Sequence, residues 1–345
     1  MDQSSANLAA IPPQAVIVAV PALNEEAAIE ACLLSLMADD PFMEDVLVVV
    51  ADGGSADRTL EIVESLRKRF PNLHIQRNPA KLQSAGVNAV VQGCARSEHV
   101  ALVRCDAHAV YPKGYIRDVV ASLAAQPEAA SVAVPMDSNG HSGFARAAAW
   151  VVDTKLGSGG SAHRGGKKSH WVDHAHHAAF RLQWFRKVGG YDASFSHNED
   201  AEYDHRLGLA GGRIWLDTDI RLDYHMRGTV AKLAKQYWNY GKGRARTILK
   251  HRMKPRVRQM IPVIHVILLI LTILLAQSAP IFWGYPLLYL IVLAGVSFVG
   301  VNKIGSLSGL WAGPALGAMH IAWGLGFLRQ VIVAGPSALR KAVVS

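Results

Sequence analysis

The sequence predicts an α/β domain built on a mainly parallel sheet, followed by helices that cross a membrane. Short apolar runs alternating with helix-spaced apolar residues predict the first part, and three long apolar stretches near the C-terminus predict the second. The charge divides at the same place. Residues 1–228 hold 22 Lys and Arg against 27 Asp and Glu, whereas residues 229–345 hold 14 basic residues and no acidic one. An acid-free, basic, apolar rear behind an acidic front describes a soluble domain tied to a bilayer, not a nucleic-acid-binding protein.

The elements follow in order. The runs 15–20 (AVIVAV), 46–50 (VLVVV), 73–76 (LHIQ), 100–105 (VALVRC) and 131–134 (SVAV) read as buried strands. Between them, Ile29/Cys32/Leu33/Leu36, Val87/Val90/Val91/Cys94 and Ile116/Val119/Val120/Leu123 recur at helical spacing, and Pro112 is expected at the first turn of the last of these helices. Repeated β-α units imply a parallel sheet covered on both faces. Ligands of such sheets bind beyond the C-terminal strand ends.

The composition, half apolar and 18% charged, excludes disorder, collagen-like repeats and coiled coils. Cys32, Cys94 and Cys105 are odd in number and set among apolar residues, as buried thiols of a reducing cytosol are. Residues 1–14 lack the basic and apolar regions of a secretory signal and are expected to be a disordered N-terminus.

The rear divides further. Residues 229–258 read as a basic amphipathic helix lying on anionic lipid. Residues 259–335 form a membrane domain of two to three spans at 260–276, 281–301 and 310–334, with Trp283, Tyr285 and Tyr289 as an aromatic belt, and 336–345 is a tail. Lys242 to Arg258 carries eight cations, which fixes that side as cytoplasmic. Three full crossings would put Arg340 and Lys341 outside, against the same rule. The third segment is therefore read as spanning, re-entrant or interfacial.

The loops after the strands carry the chemistry. After the first comes PALNEE (21–26), after the second DGGSADRT (52–59) and after the fourth Asp106-Ala107-His108. No loop reads G-x-G-x-x-G or G-x-x-x-x-G-K-[ST], which disfavours a nicotinamide or flavin enzyme and a P-loop NTPase. Instead the strand ends bear carboxylates and amides. These suit hydrogen bonds to a base and ribose at Asp52, and a divalent cation on a diphosphate at Asp106 and His108. His170, His174, His176 and His177 have spacings that fit no tetrahedral zinc site, and with 15 histidines in the chain they are expected to be neighbours by chance.

PALNEE, DGGSADRT, KLQSAGVNAV (81–90), DAHA (106–109) and Asn198-Glu199-Asp200, in this order, resemble the inverting family 2 glycosyltransferases over residues 14–228. The YGKGR segment at 240–244 and the C-terminal spans make the chain most similar to bacterial transferases of the succinoglycan- and exopolysaccharide-biosynthesis type. The resemblance implies a GT-A fold, Rossmann-like and mainly parallel, over residues 15–228. It also implies that a hexose, glucose by expectation, passes from a UDP-sugar to an undecaprenyl-diphosphate-linked saccharide, with Mn²⁺ or Mg²⁺ as cofactor. The catalytic domain would face the cytoplasm at the bacterial inner membrane. Membrane lipid and other polysaccharide-assembly proteins would be its partners. Transfer to polyprenyl phosphate itself, and a non-catalytic nucleotide-sugar-binding scaffold, are the alternatives.

Residue by residue, the resemblance implies that Pro21, Ala22, Asn24 and Glu25 line the nucleotide pocket. Asp52 would hold the uracil, with Gly53 admitting the backbone, and Lys81, Gly86 and Asn88 would flank ribose or diphosphate. Asp106 would reach the metal or ribose, His108 would stand where the family's commonest motif has a second Asp, and His225 would complete the metal site. Asp200 would be the general base. Arg164, Lys167, Asp173 and Glu199 are expected on the acceptor side.

Overall fold

The structure, a computed structural model, describes residues 10–160 and 166–343, with backbone alone over 336–343. The chain folds into two compact units, one of residues 1–136 and 165–223, the other of 137–164 and 224–345. In the first unit the order is β1 (Val16–Ala22), α1 (Ile29–Met37), β2 (Leu47–Asp52), α2 (Thr59–Arg67), β3 (Leu73–Arg77), α3 (Gln83–Gly93), β4 (Ala101–Arg104), α4 (Tyr115–Ala125) and β5 (Ala129–Ala133). The chain passes to the second unit within β6 (Met136–Asn139), which is followed there by α5 (Gly143–Val152) and α6 (Lys155–Ser158). The first unit resumes with β7 (His170–Val172), β8 (His177–Arg181), α7 (Leu182–Lys187), α8 (Glu199–Leu209) and β9 (Arg213–Leu216). The second crossing falls within β10 (Leu222–His225), which pairs with β6, and α9 (Val230–His251), α10 (Val257–Leu275), α11 (Gly284–Ile304) and α12 (Ala312–Val343) complete the chain.

The main sheet has the order β3-β2-β1-β4-β8-β5-β9-β7. The first four strands in that order are parallel, as are β5 and β9, while β8 runs antiparallel between β4 and β5 and β7 runs antiparallel to β9. Every residue of β1 is buried, because helices cover both faces and leave no solvent side on which polar residues could alternate. The helix-spaced residues Ile29, Cys32, Leu33 and Leu36 of α1 and Ile116, Val119, Val120 and Leu123 of α4 are all buried, as their spacing predicts.

Two expectations change, and one strand is added. Pro112 does not start α4; it sits three residues ahead, where its carbonyl accepts from Tyr115 N, and the helix begins after Gly114 at φ +77°. Residues 13–15, at the edge of the expected disordered segment, form a short 3-10 turn, and Ile11 packs on the core; residues 1–9 lie outside the described part. Residues 177–181 form a fully inserted antiparallel strand. The run HAAFR shows no polar-apolar alternation, because its first four residues are buried between two neighbouring strands.

In the second unit, Val257–Leu275, Pro280–Ile304 and Leu307–Gly335 are long and apolar enough to cross a membrane, close to the three predicted stretches. Small residues let the helices touch backbone to backbone. A Cβ at Gly241 of α9 would overlap the carbonyl oxygen of Trp323, and one at Gly326 of α12 would overlap that of Trp238. Replacing Gly241 with Leu is therefore expected to force α9 and α12 apart, at a cost of about 3 kcal/mol. The readout is a lower midpoint of thermal unfolding in detergent, with a red-shifted tryptophan emission.

Candidate active site

The ends of β1, β2 and β4 lie side by side in the sheet, so the three loops that follow them form one rim. The first two loops are laced together. Asn24 N donates to Ser55 Oγ (3.0 Å), Ala56 N donates to Asn24 Oδ1 (2.8 Å), Glu25 N donates to Thr59 Oγ1 (2.8 Å) and Arg58 N donates to Glu26 Oε2 (3.0 Å). Asn24 takes a left-handed backbone at φ +56°, which an asparagine tolerates better than most residues. Asp52 is buried at the end of β2, where it accepts from Gly54 N (2.8 Å) and Ser55 Oγ (2.6 Å) and so shapes its own turn. At the third loop, His108 is exposed, with Nδ1 3.3 Å from Glu25 Oε1, which links the first loop to the last.

Several predicted residues prove to have packing work. Gly86 is closed in by Pro21, Ala51 and Asn78, so a Cβ there would sit 3.0–3.3 Å from all three; close approach of α3 to the sheet explains the glycine. Asn88 donates to Tyr191 O (2.7 Å) and accepts from Tyr191 N (2.9 Å), holding that segment against α3. Pro21 and Ala22 are buried in β1, Gly53 N donates to Ala22 O (2.8 Å), and Lys81 is exposed with a left-handed backbone at φ +60°. Lys167 and Asp173 are exposed, and Arg164 falls outside the described residues.

The centre of the rim is an ionic cluster around Arg104, the last residue of β4. Its side chain is only 4% exposed, and it meets Asp200 Oδ1 at 2.8 Å, Glu199 Oε1 at 3.4 Å and Asp106 Oδ1 at 3.7 Å. Tyr191 OH donates to the same Asp200 oxygen at 2.7 Å. Asp200 Oδ2 faces His176 Nδ1 at 3.5 Å, and the other nitrogen of that ring lies 3.9 Å from Asp106 Oδ2. Gln83, at the start of α3, donates to Asp106 Oδ1. Burial alone would push the Asp200 carboxyl up, but the Arg104 charge, and then the His176 hydrogen bond, hold it well below the usual carboxylate range. Asp106 is likewise lowered against burial, first by Arg104, then by His176 and His108. Glu199 goes the other way: burial, then the Asp200 charge, raises it, and its buried side chain is part of this cluster.

Neither Arg104 nor His176 is singled out by sequence. The members of the histidine run are not idle neighbours. His174 Nδ1 and His177 Nε2 each lie 2.5 Å from an oxygen of Asp204, and His177 Nδ1 lies 3.0 Å from Ser131 Oγ. Asp204 lies one turn after Asp200 on α8, so this buried network pins the helix that carries Asp200 to β8 and β5. Changing Asp204 to Ala strands the buried imidazole of His177 and is expected to destabilise the fold by about 3 kcal/mol, seen as an earlier thermal transition of the full-length protein.

Among the described residues no three His, Cys, Asp or Glu side chains converge as a closed metal cage. Asp106 and His108 offer one carboxylate, held ionised as a ligand must be, and one imidazole. That donor set fits a divalent cation that takes its remaining ligands from diphosphate oxygens and water. His225 belongs to the second unit, where its ring centre lies 4.8 Å from that of His141.

Residues 17–189 match the family described as Glycosyl transferase family 2. The succinoglycan biosynthesis protein ExoA of Rhizobium meliloti (strain 1021) is 40% identical over 330 residues, which is 92% of this chain and 94% of that protein. A dolichyl N-acetyl-alpha-D-glucosaminyl phosphate 3-beta-D-2,3-diacetamido-2,3-dideoxy-beta-D-glucuronosyltransferase of Methanococcus voltae is 24% identical over 67% of this chain and 73% of its own. Among solved structures, the mannosyltransferase PcManGT of Pyrobaculum calidifontis, in complex with GDP-Man and Mn²⁺, superposes with a TM-score of 0.52 at 19% identity. It covers 97% of this chain and 88% of its own, and it shares the GT-A fold.

Proposed function

The chain belongs to the family 2 glycosyltransferases, and from that premise we propose that it is a membrane-anchored inverting transferase of exopolysaccharide assembly. It moves a hexose from a UDP-sugar to a saccharide carried on undecaprenyl diphosphate. The observation that carries the reading is the convergence of Asp106 and Asp200 on Arg104 and His176 at the rim where the strands end. The succinoglycan role of the 40% identical relative supports the pathway, and the three long apolar helices support a lipid-linked acceptor.

Asp200 Oδ1 is already engaged by Arg104 and Tyr191, so Oδ2, faced only by His176 at 3.5 Å among the ion pairs named above, is the oxygen left for the acceptor hydroxyl. As that hydroxyl oxygen bonds to the anomeric carbon, its proton passes to Asp200 Oδ2. The bond from the anomeric carbon to the UDP oxygen breaks on the opposite face, its electron pair goes to the diphosphate, and the configuration inverts. A divalent cation held by Asp106 and His108 would supply positive charge to the departing diphosphate. Asp52, Asn24 and Glu25 line the side of the rim on which the nucleoside lies. Arg164, Lys167 and Asp173 are assigned to the acceptor side.

The test incubates membranes containing the protein with radiolabelled UDP-hexoses, Mn²⁺ or Mg²⁺, and extracted lipid-linked acceptors. Label entering an organic-soluble product from one donor supports the reading. Intact donor across the whole panel overturns it and leaves the scaffold alternative.

A further inference from the structure

The membrane reading leaves open what the third apolar helix does, and packing inside the second unit answers it. We propose that α12 does not cross the bilayer. It lies with α9 along the anionic lipid surface, and the α10–α11 hairpin is the one element that inserts. This inference rests on the membrane anchoring argued above.

α9 is a helix of 22 residues whose middle carries Lys242, Arg244 and Arg246, with Lys232 and Lys235 near its start and Lys250 near its end. A helix with cations at its centre does not place that centre in hydrocarbon, whereas the same cations match a surface of anionic lipid headgroups. No acidic residue follows residue 228 to offset them.

The middle of α12 is bound to the middle of α9. A Cβ at Gly241, the neighbour of Lys242, would overlap the backbone at Trp323 and crowd Phe327, and a Cβ at Gly326 would overlap the backbone of Trp238. Residues 323–327 lie near the centre of the apolar stretch Leu307–Gly335. If that stretch crossed the membrane, its centre would carry the α9 cation cluster to the bilayer midplane. The apolar clusters extend the contact to both sides. Leu233 and Tyr237 share one with Ala312, Ala315 and Leu316, while Ala245 and Ile248 share another with Phe327. The two helices therefore run parallel along their lengths.

Burial separates the three apolar helices in the same way. In the stretch containing α12, 39% of the most apolar window is covered by protein, against 11% in each of the other two. The apolar side chains of α12 are used on α9, α10 and α11, while α10 and α11 show Leu and Ile outward for much of their length, as helices surrounded by lipid do. α11 meets the first part of α12, through Leu293 at Gly313 and Gly317 and through Tyr289 at His320. With one inserted hairpin, Arg340 and Lys341 return to the side of the Lys242–Arg258 cations, and the conflict with the charge rule disappears.

The test uses the full chain in bacterial membranes, with Cys94 replaced by Ala because Cys32 and Cys105 are already buried. One variant carries Ser278→Cys in the α10–α11 turn, and another a cysteine appended after Ser345; both are treated with a membrane-impermeant maleimide in right-side-out and inverted vesicles. The expected result is that Ser278→Cys reacts only from outside and the appended cysteine only from the cytoplasmic side. Labelling of the appended cysteine from outside would overturn the proposal and leave the anchoring intact. Release of the whole protein by alkaline carbonate would overturn the anchoring itself, and the proposal with it.

Discussion

Asp200→Asn is expected to lower sugar transfer by roughly 10³-fold while leaving UDP affinity within about twofold of the original. The substitution keeps the size of the side chain and an acceptor oxygen for Arg104 and Tyr191, so the rim keeps its shape. What it removes is the oxygen facing His176 and the acceptor, and with it the group that takes the hydroxyl proton. Parallel measurement of labelled transfer and UDP binding by calorimetry separates the roles. A non-catalytic scaffold would have no transfer to lose and would be indifferent to the substitution.

Arg104→Leu is expected to do more, because it strikes the fold and the chemistry together. Arg104 is the buried cation against which Asp106, Glu199 and Asp200 are all set, and its removal leaves three partly buried carboxylates with no guanidinium among them. The cost is about 3–5 kcal/mol of stability, and transfer near neutral pH falls by at least about a hundredfold. The pH dependence gives a sign. In the native protein the Asp200 carboxyl is held well below its ordinary value, so its contribution is present above the ordinary carboxylate range and is lost as pH falls through that range toward the depressed value. In the variant only the weaker His176 and His177 interactions still oppose burial, so the same group moves up and its stabilising contribution shrinks. On acidification from about pH 5 to about pH 3 the thermal midpoint should fall more steeply in the native protein than in the variant. Parallel shifts would show that Arg104 does not govern Asp200.

The frame of the site was legible in the sequence because its loops follow apolar runs that only buried strands explain. Asp52 ends β2 and Asp106 follows β4, at the strand ends the apolar runs predict, and Asp200 lies in the first turn of α8. Arg104 was not legible in the same way. It closes the run VALVRC, where one cation among hydrophobes reads as a strand edge, although an arginine that deep requires carboxylate partners and that requirement was the available signal. His174, His176 and His177 were hidden for a different reason. Metal-ligand spacing is a local test, whereas Asp106, Asp200 and Asp204 reach them from sequence positions 24–70 residues away, brought close only by the antiparallel insertion of β8. Gly86 and Asn88 show the converse. Their place in a motif suggests ligand contact, and their packing against Pro21 and Tyr191 accounts for them already.

The central claim is that carboxylates and an imidazole on neighbouring strand ends surround one nucleotide-sugar. The most direct measurement is an experimental structure of the protein bound to a UDP-hexose and Mn²⁺. The expected density puts the uracil against Asp52, the cation between Asp106 and the diphosphate, and the exposed oxygen of Asp200 toward the anomeric carbon. UDP bound elsewhere, with Asp106 and Asp200 beyond reach of the sugar and its phosphates, would contradict it.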